Sequence, residues 1–416
     1  MAEASARPRV LILGGTGFIG RNLVSYLVKN NLINNVRVAD KVPPPMAWLS
    51  PRHKEIFALP QVEFKHSNLI NPKSVENAFA DPDGEFDYVI NLAAETKYGQ
   101  TDPVYQEGVV RLSDNCAQEA ARRNIKRYIE FSAGQMNSSE KKPCKEDCKC
   151  SPWTKLAKHK LLVENHLQNI PDLNFVIIRP AIVYGIGDRN SLTPRLLIGA
   201  IYKYIRQKMK MLWTKDLKMN TVHVDDVCRA VWHLCQHGQN REIYNVVDEG
   251  NTTQGRISEL VSEIFSINCS FVGSALSNIA QVNMSSVVEE INDKHMEPWV
   301  DACQKDNIEN TPLNPFIDQP WVDACQKDNI ENTPLNPFID QELLYNKHVH
   351  LDGSKLKQTG FQYNIPELTT DHLKEMLEDF LQMKLFPLSL LSGDVVWTGE
   401  EKSLEFEDGT EEEEKS

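Results

Sequence analysis

Short apolar runs alternate with longer stretches of helical spacing along the first half of the chain. The first run, at residues 10–13, leads through the glycine-rich sequence GGTGFIG at 14–20 into apolar positions that recur at helical intervals up to residue 28. Later apolar runs lie at 36–39, 61–64, 87–94 and 127–132, and further helical patterns at 72–80 and 103–123. This strict alternation predicts an α/β fold, a doubly wound parallel sheet with helices on both faces.

The glycine-rich turn has the spacing of a dinucleotide-binding loop. Gly14, Gly17 and Gly20 allow a tight reversal, let the backbone approach a pyrophosphate at a helix N-terminus, and let the helix pack closely on the strand. The next apolar run ends at Asp40, twenty residues after Gly20, where a ribose-binding carboxylate is expected. A carboxylate there favours NAD over NADP because it would repel the 2′-phosphate, although the neighbouring Lys41 could soften that repulsion.

Charge and composition narrow the class of protein. The net charge of −13 comes largely from the C-terminal stretch, and residues 391–416 are predicted to form a disordered acidic tail. No basic patch supports nucleic-acid binding, and no run of eighteen apolar residues predicts a membrane span. The N-terminus is short and polar, so we expect a cytoplasmic protein whose nine cysteines are reduced.

Six segments, taken in order, resemble the extended short-chain dehydrogenase/reductases, which include the sugar-nucleotide epimerases and dehydratases. They are GGTGFIG at 14–20, VINLAA at 89–94, RPAIVYGIGD at 179–188, TVHVDDVCRA at 221–230, IYNVVD at 243–248 and LDGSKLKQTGF at 351–361. The resemblance implies an NAD-binding Rossmann-like domain over residues 8–178. A mixed region over 179–385 is then expected to complete the sheet and form a smaller lobe that closes over the substrate.

The resemblance also extends the predicted cofactor site. Asn68 and Leu69 stand where the family has residues beside the adenine, and an amide can hydrogen-bond an adenine edge. Ala93 and Ala94 end the fourth strand in small residues that suit a sheet edge against the cofactor. The predicted cofactor-binding residues are Gly14, Gly17, Phe18, Ile19, Gly20, Asp40, Asn68, Leu69, Ala93, Ala94 and Lys160.

The catalytic helix of this family carries a tyrosine four residues before a lysine, which places both side chains on one face. The cation lowers the pKa of the phenol, which exchanges a proton with the substrate. In the stretch 151–164, the family pattern selects Lys160 with Glu164, and Leu156 then occupies the tyrosine position. Choosing Lys158 instead places Thr154 there, so neither register supplies a tyrosine.

Two further catalytic positions differ from the family. The run FSAGQM at 131–136 retains Ser132, but the catalytic hydroxyl position falls at Gly134, and the usual structural asparagine falls at Gly108. Lys160 and Ser132 are therefore the candidate catalytic residues. Loss of a positioned general acid/base alone removes on the order of 100 to 10,000-fold in rate.

Three side chains are candidates to replace the missing proton donor. Lys158 and His159 lie beside Lys160, but His159 points to another helix face and is expected to face solvent. Tyr98 follows the fourth strand and could face the cofactor. Geometry favours none of these replacements.

The sequence also argues against binding of a sugar nucleotide. Relatives that bind a nucleoside diphosphate carry an arginine just before the VHVDD segment, where this chain has Met219 or Asn220. Lys215 and Lys218 could substitute in part, although a lysine lacks the fork geometry of a guanidinium.

No metal site is predicted. Asp225 and Asp226 are interpreted as structural, with one of them capping a helix at 227–237. Cys144, Cys148 and Cys150 lack the spacing and the fourth partner of a zinc site, and a solvated loop with incidental thiols is the preferred interpretation.

The segment PWVDACQKDNIENTPLNPFIDQ at 298–319 recurs unchanged at 320–341. Two perfect copies indicate a recent duplication or a gene-model artefact, because functional repeats diverge. We expect one copy to pack and the other to be poorly ordered. A final helix is predicted at 368–384, with its apolar face in the core.

Two hypotheses follow. The chain either keeps the dinucleotide site without the usual catalysis and acts in binding, sensing or scaffolding, or it is an NAD-dependent epimerase, dehydratase or reductase with unusual catalytic groups. Its expected partners are a dinucleotide and an unidentified small molecule or protein, and a homodimer is left open.

Overall fold

The computed structural model describes residues 7–309 and 331–392, and it confirms the predicted α/β fold. Seven parallel strands form the main sheet. In sheet order these strands are β3 (Val62–His66), β2 (Asn35–Asp40), β1 (Arg9–Leu13), β4 (Tyr88–Asn91), β5 (Arg127–Phe131), β6 (Phe175–Pro180) and β10 (Glu242–Val246). The strand order reverses between β1 and β4, which opens a crevice beyond their carboxyl ends.

The other strands form short pairs. They are β7 (Ile182–Tyr184) with β9 (Thr221–His223), β8 (Met209–Met211) with β11 (Cys269–Phe271), and β12 (Ile308–Glu309) with β13 (Glu331–Asn332).

The helices of the first half include one at 51–57, between the apolar runs at 36–39 and 61–64, which the apolar pattern did not predict. They are α1 (Phe18–Lys29), α2 (Pro51–Phe57), α3 (Pro72–Phe79), α4 (Asp102–Tyr105), α5 (Leu112–Arg122) and α6 (Lys155–Leu167). A π-helical segment, Gln106–Arg111, joins α4 to α5. Asn71 caps α3, because its side chain accepts a hydrogen bond from the Lys73 amide.

The remaining helices cover the second half of the chain. They are α7 (Thr193–Tyr204), α8 (Val224–His237), α9 (Gln254–Phe265), α10 (Gly273–Val282), α11 (Met284–Lys305), α12 (Ser354–Gln358), α13 (Thr370–Gln382) and α14 (Ser389–Ser392). The helix predicted at 368–384 corresponds to α13, which buries Leu373, Met376 and Phe380.

Residues 10–13 of strand β1 show why the inner part of a central strand is largely apolar. Val10 and Ile12 lie in the core under α1 and α8, whereas Leu11 and Leu13 face the opposite core under α5. Both faces are buried, so every residue of the strand gains from leaving water. A separate core joins α7, α9, α11 and α13, with Trp299 among its fully buried side chains.

The described residues include parts of both repeat copies. Residues 298–309 of the first copy contribute the C-terminal part of α11 and β12, and residues 331–341 of the second contribute β13 and the segment after it. Glu309 and Asn332 are partners across the β12–β13 pair. Residues 310–330 lie outside the described part, so the expectation that only one copy packs stays a prediction.

The predicted boundary at residue 178 lies within β6, and the division of the chain into two regions stays a prediction. Most of the predicted acidic tail, from residue 393 onward, lies outside the described residues. In the described part, no helix is both long and apolar enough to cross a membrane.

Candidate functional site

The glycine-rich turn lies in the crevice between β1 and β4. Gly14 has a φ of +77°, and a Cβ on it would lie 2.7 Å from the Ala93 backbone. A Cβ on Gly20 would lie 2.5 Å from the Gly15 Cα. The backbone of the turn therefore packs where side chains would collide, which leaves the N-terminus of α1 open to a pyrophosphate.

Asp40 ends β2 beside this turn. Its carboxylate accepts hydrogen bonds from the backbone amides of Thr16, at 3.1 Å, and Val42, at 3.0 Å. These bonds aim the carboxylate along the glycine loop and leave lone pairs for hydroxyl donors. The position suits a ribose-binding acid.

The other predicted cofactor positions line the same edge of the sheet. Phe18 and Ile19 are half-buried in the first turn of α1. Leu69 is buried after β3, whereas Asn68 is exposed and its side-chain oxygen accepts from the Ile70 amide. Ala93 and Ala94 follow β4 and are half-buried. Their small side chains leave space over the end of β4.

Arg21 ties the glycine turn to the loop that precedes α2. It is 2 % exposed and donates to the carbonyls of Thr16, Gly17, Ala47 and Trp48. Burial lowers the pKa of Arg21 to about 9, and the nearby Arg189 guanidinium contributes to the shift. No sequence pattern pointed to Arg21, which stiffens the loop at Ala47 and Trp48.

Lys160 forms a buried ion pair with Glu130 of β5. Its Nζ lies 3.2 Å from Glu130 Oε1, and the two side chains are 6 % and 0 % exposed. Glu130 also accepts hydrogen bonds from Ser113 at 3.0 Å, Asn91 at 2.8 Å and Tyr128 at 2.8 Å. Lys160, the cation that would assist a catalytic tyrosine, is thus balanced by the Glu130 carboxylate, which accepts hydrogen bonds from four side chains.

Leu156 lies one turn before Lys160 on α6 and belongs to the hydrophobic core. It is 9 % exposed and shares the core cluster of Tyr105 and Val109. The position that would carry a phenol is therefore part of the packing between α6 and the π-helical segment. Gly108 in that segment would place a Cβ 2.9 Å from the Cβ of Glu95.

Ser132 is engaged in a structural network. Its hydroxyl donates to Glu164 Oε1, and Glu164 is paired with Arg179 through Nε at 2.9 Å and Nη2 at 2.5 Å. The Glu164 and Arg179 side chains are 3 % and 4 % exposed. Because its proton is donated to this carboxylate, Ser132 is not positioned to donate to a substrate.

Gly134 has no room for a side chain. A Cβ there would lie 2.4 Å from the carbonyl oxygen of Pro180 and 3.1 Å from the Leu351 Cδ1. Leu351 belongs to a segment that bridges to Cys144. The Pro180 backbone and the Leu351 side chain thus occupy the space that a side chain at position 134 would need.

The expectation that His159 faces solvent is wrong. His159 is 9 % exposed, its Nδ1 lies 2.8 Å from the Lys155 carbonyl oxygen, and its ring stacks on Tyr105 at 5.3 Å. Tyr105, the last residue of α4, packs on this face of α6 and covers the imidazole. The covering element is remote in sequence, so the helical pattern could not reveal it.

Tyr98 and Lys158 offer no activated group. The Tyr98 hydroxyl accepts a hydrogen bond from Gln135 at 3.1 Å, and burial together with Glu342 raises its pKa. A phenol with a raised pKa holds its proton more tightly and is a poor proton donor at neutral pH. Lys158 is exposed.

An arginine reaches the place where the diphosphate-binding arginine is missing. Arg195 of α7 points its Nη2 to the Met219 sulfur at 3.4 Å. Burial lowers the pKa of Arg195 to about 10, and no acidic side chain of the described residues forms an ion pair with it. The sequence analysis missed this residue, because the signal depends on α7 packing against the chain before β9.

Asp226 of the acidic pair after β9 is structural, whereas Asp225 is exposed, and neither residue is the helix cap. His223 caps α8 by accepting from the Asp225 amide. Asp226 is fully buried and accepts from the amides of Asn364 and Ile365 at 3.0 and 2.7 Å, which anchors that loop. In the described ranges, no group of three or more His, Cys, Asp or Glu side chains is arranged to hold a metal ion.

Comparison with known proteins identifies one matching family model. The model of the NAD dependent epimerase/dehydratase family matches residues 10–247. A bifunctional UDP-glucose 4-epimerase and UDP-xylose 4-epimerase of Pisum sativum is 27 % identical over 48 % of this chain and 59 % of its own length. A farnesyl-dihydroquinoline-oxide ketoreductase of Stigmatella aurantiaca is 24 % identical over 58 % of this chain and 68 % of its own. The chain thus spans about three fifths of the pea enzyme.

Solved structures share the fold over most of the chain. The dTDP-glucose 4,6-dehydratase of Streptomyces venezuelae, with NAD and TYD bound, aligns at a TM-score of 0.63 and 16 % identity, over 90 % of this chain and 97 % of its own. The UDP-glucose 4-epimerase of Thermus thermophilus, in complex with NAD, aligns at 0.59 and 17 % identity, over 90 % and 99 %. At these identities the similarity establishes the common fold.

Proposed function

The chain belongs to the NAD dependent epimerase/dehydratase family, and we propose that it binds NAD while its catalysis is impaired or altered. Its role would then be dinucleotide binding, sensing or scaffolding. The buried pair of Lys160 with Glu130, beside Leu156 in the tyrosine position, carries this proposal. Glu130 balances the charge of Lys160. In addition, position 156 carries no phenol whose pKa a lysine could lower.

The residues of the crevice suit a dinucleotide. The turn at residues 14–20 would receive the pyrophosphate at the N-terminus of α1, and Asp40 would accept the ribose hydroxyls. Asn68 and Leu69 would border the adenine, and Ala93 and Ala94 would lie under the rest of the cofactor. Bound NAD would supply a hydride acceptor, but Leu156 at the tyrosine position cannot move the accompanying proton.

Calorimetric titration with NAD and NADP tests the binding half of the proposal. We expect NAD to bind more tightly than NADP, and Asp40→Ala to reduce that preference because the carboxylate no longer repels the 2′-phosphate. Asp83→Ala, in an exposed loop, is the matched control. Absence of NAD binding by the wild-type chain would refute the proposal.

The catalytic half is tested by following nicotinamide absorbance during exposure of the NAD-loaded chain to a panel of metabolites. We expect no turnover by the wild type. Activity gained on Leu156→Tyr would support descent from an active enzyme. Wild-type turnover that is lost in Lys160→Ala, with NAD binding retained, would establish the enzyme hypothesis instead.

A second candidate function is an NAD-dependent epimerase, dehydratase or reductase acting on a sugar nucleotide. The half-buried Arg195 beside Met219 favours it, because a guanidinium that forms no ion pair with an acidic side chain of the described residues suits a diphosphate. Titration with UDP tests this candidate. Binding that is lost in Arg195→Gln but retained in Arg256→Gln, an exposed helical control, would support it, and absence of UDP binding would remove this support.

A further inference from the structure

Three cysteines lie within seven residues of the loop that joins β5 to α6. Cys144 is buried, Cys148 and Cys150 are half-buried, and all three are free thiols. The expectation of a solvated loop is therefore wrong for Cys144. The C-terminal segment around residues 350–352 covers it, and sequence spacing could not show this contact.

The loop is held firmly and folds back on itself. The Cys144 amide donates to the His350 carbonyl at 2.8 Å, and its carbonyl accepts from the Asp352 amide at 2.9 Å. The Cys148 amide donates to the Lys145 carbonyl at 3.2 Å, which closes a turn. This turn brings Cys148 back beside Cys144, and the nearby Cys148 thiol contributes to the raised pKa of the Cys144 thiol.

Cys150 has a different partner. Arg179 Nη2 lies 3.5 Å from the Cys150 sulfur, and Arg179 Nη1 donates to the Glu146 carbonyl at 3.1 Å. The Glu146 carboxylate in turn accepts from the Asn245 amide at 2.8 Å. These contacts fix the loop against the ends of β6 and β10, and they leave Cys144 as the thiol partner of Cys148.

We propose that Cys144 and Cys148 are a redox pair that forms a reversible disulfide, with Cys148 as the attacking thiol. Attack requires access and a thiolate, and Cys148 is the more exposed of the two. Burial raises the pKa of the Cys144 thiol to about 11, so Cys144 stays protonated at neutral pH and does not initiate the reaction. This inference does not depend on dinucleotide binding.

The oxidant is a hydroperoxide. The Cys148 thiolate attacks the terminal peroxide oxygen, the O–O bond breaks, and a sulfenic acid forms while water or an alcohol leaves. The Cys144 sulfur then attacks the Cys148 sulfur, and the S–S bond forms as the hydroxyl leaves with the Cys144 proton as water. Two thiols are oxidised by two electrons and one peroxide is reduced. A dithiol reductant reverses the change.

Peptide mapping of the full chain tests the pairing. Reduced protein is treated with hydrogen peroxide, its remaining thiols are alkylated, and it is digested with trypsin. Because the bond between Lys142 and Pro143 resists cleavage, the three cysteines separate onto peptides 142–145, 146–149 and 150–155. We expect peptides 142–145 and 146–149 to be linked, with the loss of two hydrogen atoms and reversal by dithiothreitol.

Variants distinguish this pair from general thiol oxidation. Cys144→Ser should accumulate a sulfenic acid on Cys148 that a dimedone-type probe captures, whereas Cys148→Ser should yield neither a linked peptide nor an adduct. Cys269→Ser, which removes a half-buried thiol bonded to Ser262, should behave as wild type. A disulfide involving Cys150, or a pair that stays reduced at peroxide concentrations that oxidise Cys269, would overturn the proposal.

Discussion

Replacing Lys160 by methionine separates two roles for this lysine. In the structure its ammonium neutralises Glu130, whereas in the family pattern it would hold the nicotinamide ribose. Methionine preserves much of the length and apolar volume of the stem, so little cavity forms. The variant therefore removes chiefly the charge and its hydrogen bond.

The expected cost follows from the burial of the pair. Glu130 is fully buried and would retain three neutral donors, from Asn91, Ser113 and Tyr128, without a counter-charge. Breaking a buried ion pair by removing one partner costs about 3–5 kcal/mol of unfolding free energy. Adding Glu130→Gln should recover part of that loss, because the uncompensated charge disappears.

Urea denaturation of the two single variants and the double variant measures the coupling between the residues. Lys158→Met is the matched control on the same helix, and its exposed position predicts a change within about 0.5 kcal/mol. If Lys160→Met lowers stability by less than about 1 kcal/mol and abolishes NAD binding, the lysine serves the cofactor and the structural argument fails.

Three further predictions concern packing, the repeat and pH. Gly134→Ser should destabilise the fold by about 1–3 kcal/mol in urea because its Cβ would meet the Pro180 carbonyl; a neutral effect would contradict the packing argument. Deleting residues 310–331 leaves one complete copy of the repeat, so calorimetry should show a Tm within about 3 °C of wild type, and a drop of about 10 °C would be contrary evidence. Burial lowers the pKa of His53 from 6.5 to about 3, so stability should fall as pH drops through 6.5, by up to about 1.4 kcal/mol per unit. His53→Gln should flatten that profile and the exposed control His166→Gln should not, whereas equal slopes in both would refute the assignment.

Sequence patterns predicted much of the fold because they report local geometry. An apolar run flanked by glycines and helical spacing describes one βα unit, and its repetition describes the parallel sheet. The same local information located the glycine turn and Asp40. Their predicted proximity follows from two consecutive βα units, because the turn follows the first strand and Asp40 ends the second. The unpredicted α2 shows the limit of this approach, because its polar sequence has no clear helical periodicity.

The sequence alone, through its resemblance to the family, predicts that the usual tyrosine, hydroxyl and asparagine positions hold Leu156, Gly134 and Gly108. Tertiary structure decided what surrounds these three residues, because the relevant contacts join residues far apart in the chain. The pairing of Lys160 with Glu130 requires α6 to pack on β5, although a charged residue inside the apolar run of β5 was a usable signal. The sequence shows which chemical groups are present. Only the packing of the helices and strands decides which of these groups already have an ion-pair or hydrogen-bond partner.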